Sequence, residues 1–437
     1  MLTRETSDLA SFWMPFTANR DFKRTPRLLE SAEGMYYFTP EGRPVLDGAA
    51  GLWCVNAGHG RRAIIDAISQ QAARLDYAPT FQVGHPKAFE LADRLGKLFP
   101  DDLDRVFFAG SGSEAVDTSL KIAQAYHQAQ GKTDRVRFIG RQRGYHGVGF
   151  GGISVGGLDN NRRGFSLLPG VDHLSHTHSL EHAAFSRGQP TWGAHLADEL
   201  EDLIAQRGAE TIAAVIVEPL AGSTGVLVPP VGYLERLREI TAREGILLIF
   251  DEVITAFGRL GAATASELFG VTPDMIVCAK GLTNGAVPMG AVAVRSDIYD
   301  TVVEAGSGIE FFHGYTYSGH PLAAAAGLAA LDIYEGEQLF DRARSLSGVW
   351  EEAAHGLGNA AHVIDIRNLG LVAAIELESR PGQPGARATE VFQRCFDEGV
   401  LIRVTGDTIA LSPPLVVSPS EIERIFECVS TVIQQTA

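Results

Sequence analysis

Lys280 is the only lysine after Lys132, and it stands where a solvent-seeking ammonium is out of place. It closes the apolar run Met275-Ile276-Val277-Cys278-Ala279 and precedes the turn-forming Gly281-Leu282-Thr283-Asn284-Gly285. The run reads as a short buried strand, and desolvation at its end lowers the proton affinity of an amine. An amine of that kind is a nucleophile for Schiff-base chemistry. The alternative is a long side chain snorkelling from a strand end into water, so its neighbours must decide. Asp251 follows the five apolar residues Ile246 to Phe250, and a semi-buried carboxylate there calls for a cationic partner, unless it only caps a turn beside Glu252. Ser111-Gly112-Ser113-Glu114 precedes an amphipathic stretch carrying Val116, Leu120, Ala123 and Tyr126. Free amides at a glycine-bearing helix start attract phosphate, although the same residues also make an ordinary cap. A phosphate cradle, a strand-end acid and a strand-end lysine together match the phosphate, the ring nitrogen and the aldehyde of pyridoxal phosphate (PLP).

Groups of this kind need rigid elements to hold them. Five apolar runs read as strands: Asp104 to Gly110, Ala213 to Glu218, Ile246 to Asp251, the run ending at Lys280, and Met289 to Val294. Helical patterns over Ser113 to Gln130 and Tyr233 to Glu244 alternate with them. Apolar strands separated by helices predict a mostly parallel sheet covered on both faces, an α/β fold with ligands at the carboxyl ends of the strands. Glu218, Asp251 and Lys280 all fall at such ends. The predicted division is an N-terminal segment over residues 1–57, a large domain over 58–321 and a C-terminal small domain over 322–437, with the two chain ends forming one smaller lobe.

Composition bounds the rest. A chain of 437 residues with 45% hydrophobic content can bury a large core. The formal charge of −16 argues against a nucleic-acid partner. The N-terminus has no apolar core like that of a signal peptide and no stretch reaches the roughly 20 apolar residues of a membrane span, so the expected location is the cytoplasm. Cys54, Cys278, Cys395 and Cys428 have no paired spacing and read as reduced, structural residues. His173, His176, His178 and His182 lack the spacing of zinc ligands, and no metal is expected.

The chain resembles, nearly end to end, the class III (fold type I) aminotransferases dependent on PLP. The resemblance is carried by Ala49-Ala50-Gly51-Leu52-Trp53, Ser111-Gly112-Ser113-Glu114, Gly144-Tyr145-His146-Gly147 and Glu218-Pro219. It continues through Phe250-Asp251-Glu252-Val253, Pro273-Asp274 with Lys280-Gly281, and His313-Gly314-Tyr315-Thr316-Tyr317-Ser318-Gly319-His320-Pro321. It implies a seven-stranded, mostly parallel sheet between helices plus a smaller α+β domain. It further implies that Lys280 is the Schiff-base lysine, that Asp251 pairs with the ring nitrogen, and that Tyr145 stacks on the ring opposite Val253. By the same resemblance Ser111, Gly112, Ser113 and His146 belong to the cofactor-binding set, and Glu218 is a carboxylate on the cofactor's hydroxyl side. Thr316 is expected to reach the phosphate held by the other subunit, which implies a homodimer with shared sites, or a dimer of dimers.

Substrate choice is read near the C-terminus. Where ornithine-type members resembling this chain carry an arginine, Asp407-Thr408-Ile409-Ala410-Leu411-Ser412-Pro413-Pro414 has Ala410. Arg403, in Leu401-Ile402-Arg403-Val404-Thr405, matches instead the arginine of ω-amino acid:pyruvate and amine:pyruvate aminotransferases, and a bidentate guanidinium suits a carboxylate. Phe16, Trp53 and Phe81 are expected to join Tyr145 in an aromatic substrate pocket. The implied reaction moves an amino group from a β-alanine-like ω-amino acid or a primary amine to pyruvate, with taurine or arylalkylamines as alternative donors. An aminomutase, racemase or decarboxylase of the same fold and a non-catalytic PLP-binding regulator are the remaining rivals.

Overall fold

A computed structural model describes residues 9–436. Its strands, in chain order, are β1 (Ser31–Glu33), β2 (Tyr36–Phe38), β3 (Pro44–Asp47), β4 (Arg105–Ala109), β5 (Arg137–Arg141), β6 (Val171–Leu174), β7 (Ile212–Val217) and β8 (Leu247–Asp251). They continue as β9 (Met275–Cys278), β10 (Gly290–Val294), β11 (Val363–Leu369), β12 (Val372–Leu377), β13 (Val400–Leu401), β14 (Arg403–Thr405) and β15 (Thr408–Leu411). The central sheet has seven strands in the order β4-β10-β9-β8-β7-β5-β6. Only β10 runs antiparallel to its neighbours, and the pairings from β9 through β6 are parallel.

Every residue of β7, β8, β9 and β10 is buried, which is why these strands read as continuous apolar runs rather than alternating ones. Period-two alternation nonetheless divides their side chains between two cores. Val215, Leu248, Phe250 and Ile276 enter one, while Ala214, Ile216, Ile249 and Val277 enter the other with Val116 and Leu120 of helix Gly112–Ala129. The sequence pattern does not single out β5 and β6. β5 has an arginine at each end, and three of the four residues of β6 are only half-buried, so neither presents an apolar run long enough to stand out.

The chain ends build two further sheets. One has the order β1-β2-β3-β13, with β3 and β13 parallel, so that an N-terminal strand pairs with a C-terminal one. The other, β11-β12-β15-β14, is antiparallel throughout. Its Ile375, Ile409 and Leu411 face a core shared with helices Leu339–His355 and Pro419–Gln434, while Ala374 and Ala410 face the opposite way. Helix Pro321–Gly336, almost wholly buried, packs on helices Arg62–Arg74 and Pro86–Leu98 of the central unit.

Candidate active site

The order β9-β8-β7 places Lys280, Asp251 and Glu218 at three adjacent strand ends, with neighbouring strands about 4.8 Å apart. β9 ends at Cys278, and Lys280 takes a left-handed φ of 50° as the chain turns into the single 3-10 turn Lys280–Thr283. That conformation costs a non-glycine residue about 1–3 kcal/mol and persists only where its surroundings enforce it. They do so here: Asn284 accepts from the Ala57 amide at 2.7 Å and donates to the Gly58 carbonyl at 2.9 Å, and the Tyr334 hydroxyl donates to the Gly281 carbonyl at 2.6 Å. Burial pushes the Lys280 ammonium below the usual lysine range. Cys54, Asp251 and Glu218 oppose the shift, whereas the Arg403 charge adds to it. Lys280 keeps some accessible surface and lines the cavity described below.

Asp251 is fixed on both oxygens. His146 Nδ1 lies 2.8 Å from Oδ2, and the Val253 amide donates to Oδ1 at 3.1 Å. Glu218 is fully buried, accepts from the Tyr145 amide at 2.9 Å, and is pushed up to about 7, chiefly by burial. Its backbone carbonyl accepts from Arg141 Nη2 at 2.8 Å, which ties the end of β5 to the end of β7. Glu252 does a different job. It accepts from the amides of Ala265 and Ser266 and from the Thr255 hydroxyl, and so holds the start of helix Ala265–Phe269.

At the start of helix Gly112–Ala129 the Ser111 hydroxyl accepts from the Glu114 amide at 3.2 Å, so Ser111 acts as the cap. Ser113 Oγ accepts from the Val148 amide at 3.2 Å. A Cβ on Gly112 would come within 3.0 Å of Val253, and one on Gly147 within 2.4 Å of Ser113 Oγ. These glycines let the Gly144 to Val148 loop and Val253 close over the helix start.

The result is a cavity of about 130 Å³. Its wall takes in Gly112, Ser113, Tyr145, His146, Glu218, Asp251, Val253 and Lys280. A buried amine, a carboxylate, a helix N-terminus for an anion and two flat or branched side chains fit the aldehyde, ring nitrogen, phosphate and ring faces of PLP. Ile254 also lines the cavity. Its sequence signal was slight: one apolar residue beyond Val253.

The remaining expected residues lie elsewhere. Trp53 is 1% exposed, in an apolar cluster with Ile254, Val226 and Ala410. Phe81 is 57% exposed and packs on Gly314; Phe16 is 78% exposed. Thr316 is exposed, with its carbonyl accepting from the Tyr77 hydroxyl at 3.1 Å. Arg403 is half-buried on β14, and both Lys280 and Tyr145 feel its charge. No ion pair reaches it among the described residues, and its Nε is buried without a partner. Ala410 on β15 pairs directly with Arg403.

The histidines of the 173–182 segment are spoken for differently. His173 Nε2 lies 2.9 Å from the Gly156 carbonyl. His178 approaches Asp365 and Glu376, a trio with a metal-like grouping. Arg367 occupies the space between these carboxylates, pairing with both and donating to the Gly225 carbonyl. Burial alone would raise the Glu376 carboxyl, but His178 and Arg367 hold it down at about 2.

The family model of class III aminotransferases matches residues 17–433, and the chain belongs to that family. It is a PLP-dependent transaminase. It is 63% identical over 431 residues to an omega-aminotransferase of Caulobacter vibrioides, covering 98% of each chain. It is 49% identical to a beta-alanine–pyruvate aminotransferase of Pseudomonas aeruginosa, covering 98% of this chain and 97% of the relative. The crystal structure of the omega transaminase from Pseudomonas jessenii in complex with PMP superposes with a TM-score of 0.93 at 33% identity, covering 98% and 97% of the two chains. No helix among the described residues is long and apolar enough to cross a membrane.

Proposed function

We propose that this transaminase moves the amino group of a β-alanine-like ω-amino acid or a primary amine to pyruvate, releasing alanine and an aldehyde or ketone. The observation that carries this reading is Arg403, a half-buried guanidinium without an ion pair among the described residues, close enough for its charge to be felt by Tyr145 and Lys280, and facing no second arginine at Ala410. A single such group suits one carboxylate. The names borne by two relatives, omega-aminotransferase and beta-alanine–pyruvate aminotransferase, support the same choice.

When bound, PLP supplies an aldehyde that condenses with amines and a ring that delocalises the electron pair left by a departing proton. The Lys280 amine anchors that aldehyde. With a substrate amine bound, the Lys280 Nζ would be the group placed to take and hold the proton of the substrate carbon. Asp251, oriented by His146, would hold the ring nitrogen protonated. Gly112 and Ser113 would hold the phosphate, Tyr145 and Val253 would cover the ring faces, and Glu218 would stand on its hydroxyl side. Arg403 would grip the carboxylate of pyruvate, the acceptor. Thr316, Phe16 and Phe81, exposed on one chain, complete the partner's site in a homodimer, and the chain divides at about residues 57 and 321.

The deciding experiment assays a panel of amine donors against pyruvate, 2-oxoglutarate and oxaloacetate. The expected result is alanine formed from pyruvate, one for each amine consumed. Glutamate or aspartate formed in place of alanine would move the acceptor to 2-oxoglutarate or oxaloacetate.

A further inference from the structure

The turn from Lys280 to Gly285 holds three residues in left-handed backbone, Lys280 with a φ of 50°, Asn284 with 54° and Gly285 with 70°. Glycine adopts that region freely, and lysine does not. Two buried side chains from different elements grip the turn. Asn284 spends both ends of its side-chain amide on another segment, accepting from the Ala57 amide at 2.7 Å and donating to the Gly58 carbonyl at 2.9 Å. Tyr334, on helix Pro321–Gly336, donates its hydroxyl to the Gly281 carbonyl at 2.6 Å. What they hold on to is itself fixed. Ala57 is fully buried, and its neighbour Asn56 donates to the Phe257 carbonyl at 2.8 Å and accepts from Arg259 Nη2 at 2.6 Å. The Tyr334 ring stacks on Phe257 with centroids 6.2 Å apart. The turn has no slack against this wall: a Cβ on Gly281 would stand 2.8 Å from Asn56 Nδ2, and one on Gly285 3.0 Å from Cys54 Cβ.

We propose that Asn284 and Tyr334 are positioning residues for the Schiff-base lysine, a clamp that keeps the turn left-handed and so aims Lys280 Nζ into the cavity whether or not PLP is bound. Three observations support it. Glycine would satisfy the backbone at position 284, so the shape of the turn does not call for an amide side chain. Asparagine commonly tolerates this backbone by bonding locally, but here both amide ends reach residues 227 and 226 positions away in the chain. The grip also falls next to the lysine, because the carbonyl held by Tyr334 belongs to Gly281, and the Gly285 amide donates to the Lys280 carbonyl at 3.1 Å. Strain of this kind persists only where the surroundings over-determine it. Freed of the clamp, Lys280 would relax to a negative φ, and its Cα–Cβ bond would swing off the line to the cavity that it borders.

The inference rests on the reading that Lys280 anchors PLP. The step it governs is the attack of Nζ on the aldehyde carbon, in which a carbon–nitrogen double bond forms and water leaves. Mixing the full-length enzyme, stripped of cofactor, with saturating PLP follows that step as the appearance of imine absorbance. PMP, the aminated cofactor, has no aldehyde and reads binding without the covalent step. Asn284→Gly keeps the left-handed backbone and removes both bridges. It is expected to slow imine formation about tenfold, the loss of one or two neutral hydrogen bonds, while PMP affinity changes by less than about twofold. Tyr334→Phe is expected to slow the same step several-fold, again with PMP affinity kept, and it keeps the test decisive should Asn284→Gly fail to fold. A parental imine rate in either variant that folds, or a loss of PMP affinity as large as the loss of rate, would overturn the proposal. Lys280→Ala separates the two readings: an imine formed there at the parental rate would count against the anchoring role of Lys280, whatever the clamp variants did.

Discussion

At the scale of single residues, the site sets three groups against their ordinary ionisation. The Lys280 ammonium is pushed down by burial, the Glu218 carboxyl is pushed up to about 7 by the same cause, and burial pushes the Arg403 guanidinium down as well. Arg403→Ala is expected to cut kcat/KM for pyruvate and β-alanine by roughly 10- to 100-fold, the value of a charge-assisted hydrogen-bond pair. For an uncharged arylalkylamine the loss should stay within a few-fold, as steady-state kinetics with each donor will show. Glu218 yields a pH prediction for the enzyme stripped of cofactor. Its folded pKa lies above the ordinary 4.5, so the native state favours the proton, and stability falls as pH rises from about 4.5 through about 7. In Glu218→Gln, which carries no such charge, thermal melts between pH 5 and 8 should lose that component of the decline. A variant with the parental pH slope would mean that this carboxyl is not buried as described.

At the scale of elements, the site depends on close approach. Gly147 has a φ of 83° and no room for a Cβ beside Ser113. Gly147→Ala should therefore lift the Gly144 to Val148 loop from the helix start and weaken PLP binding by about tenfold, the cost of roughly 1–2 kcal/mol of left-handed strain. Spectrophotometric titration of the cofactor-free protein with PLP reads this directly. The strands were legible where they are buried on both faces, because β7, β8 and β9 carry unbroken apolar runs. β5 and β6 were not, since the arginines that end β5 and the Asp172-His173 pair inside β6 hide strands that only their neighbours make necessary. Ser111 shows the same limit within the site, being equally suited by sequence to a phosphate or to the cap it forms.

At the scale of the whole molecule, one chain leaves Phe16, Phe81 and Thr316 exposed and apart from the cavity. A shared-site dimer makes a sharp prediction. Thr316→Ala homodimers should bind PLP about tenfold more weakly, through one lost hydrogen bond. In a mixed dimer of one Lys280→Ala protomer and one Thr316→Ala protomer, the single site that retains Lys280 draws its threonine from the other chain. It should bind PLP with parental affinity. If that site were as weak as in the Thr316→Ala homodimer, the threonine would act within its own chain.

The sequence by itself pointed to the candidate residues. Lys280, Asp251, Glu218 and Ser111-Gly112-Ser113 stand at the ends of elements whose apolar periodicity is local, and local patterns survive in one dimension. It also determined the family, through motifs spread over nearly the whole chain. Only the tertiary structure decided how those residues meet. The order of β9, β8 and β7 sets three strand ends side by side, His146 takes its place against Asp251, and Arg403 comes to lie across from Ala410. These relations depend on which strands pair and in what register, and that is fixed by burying both faces of each sheet at once, a condition no single stretch of sequence contains.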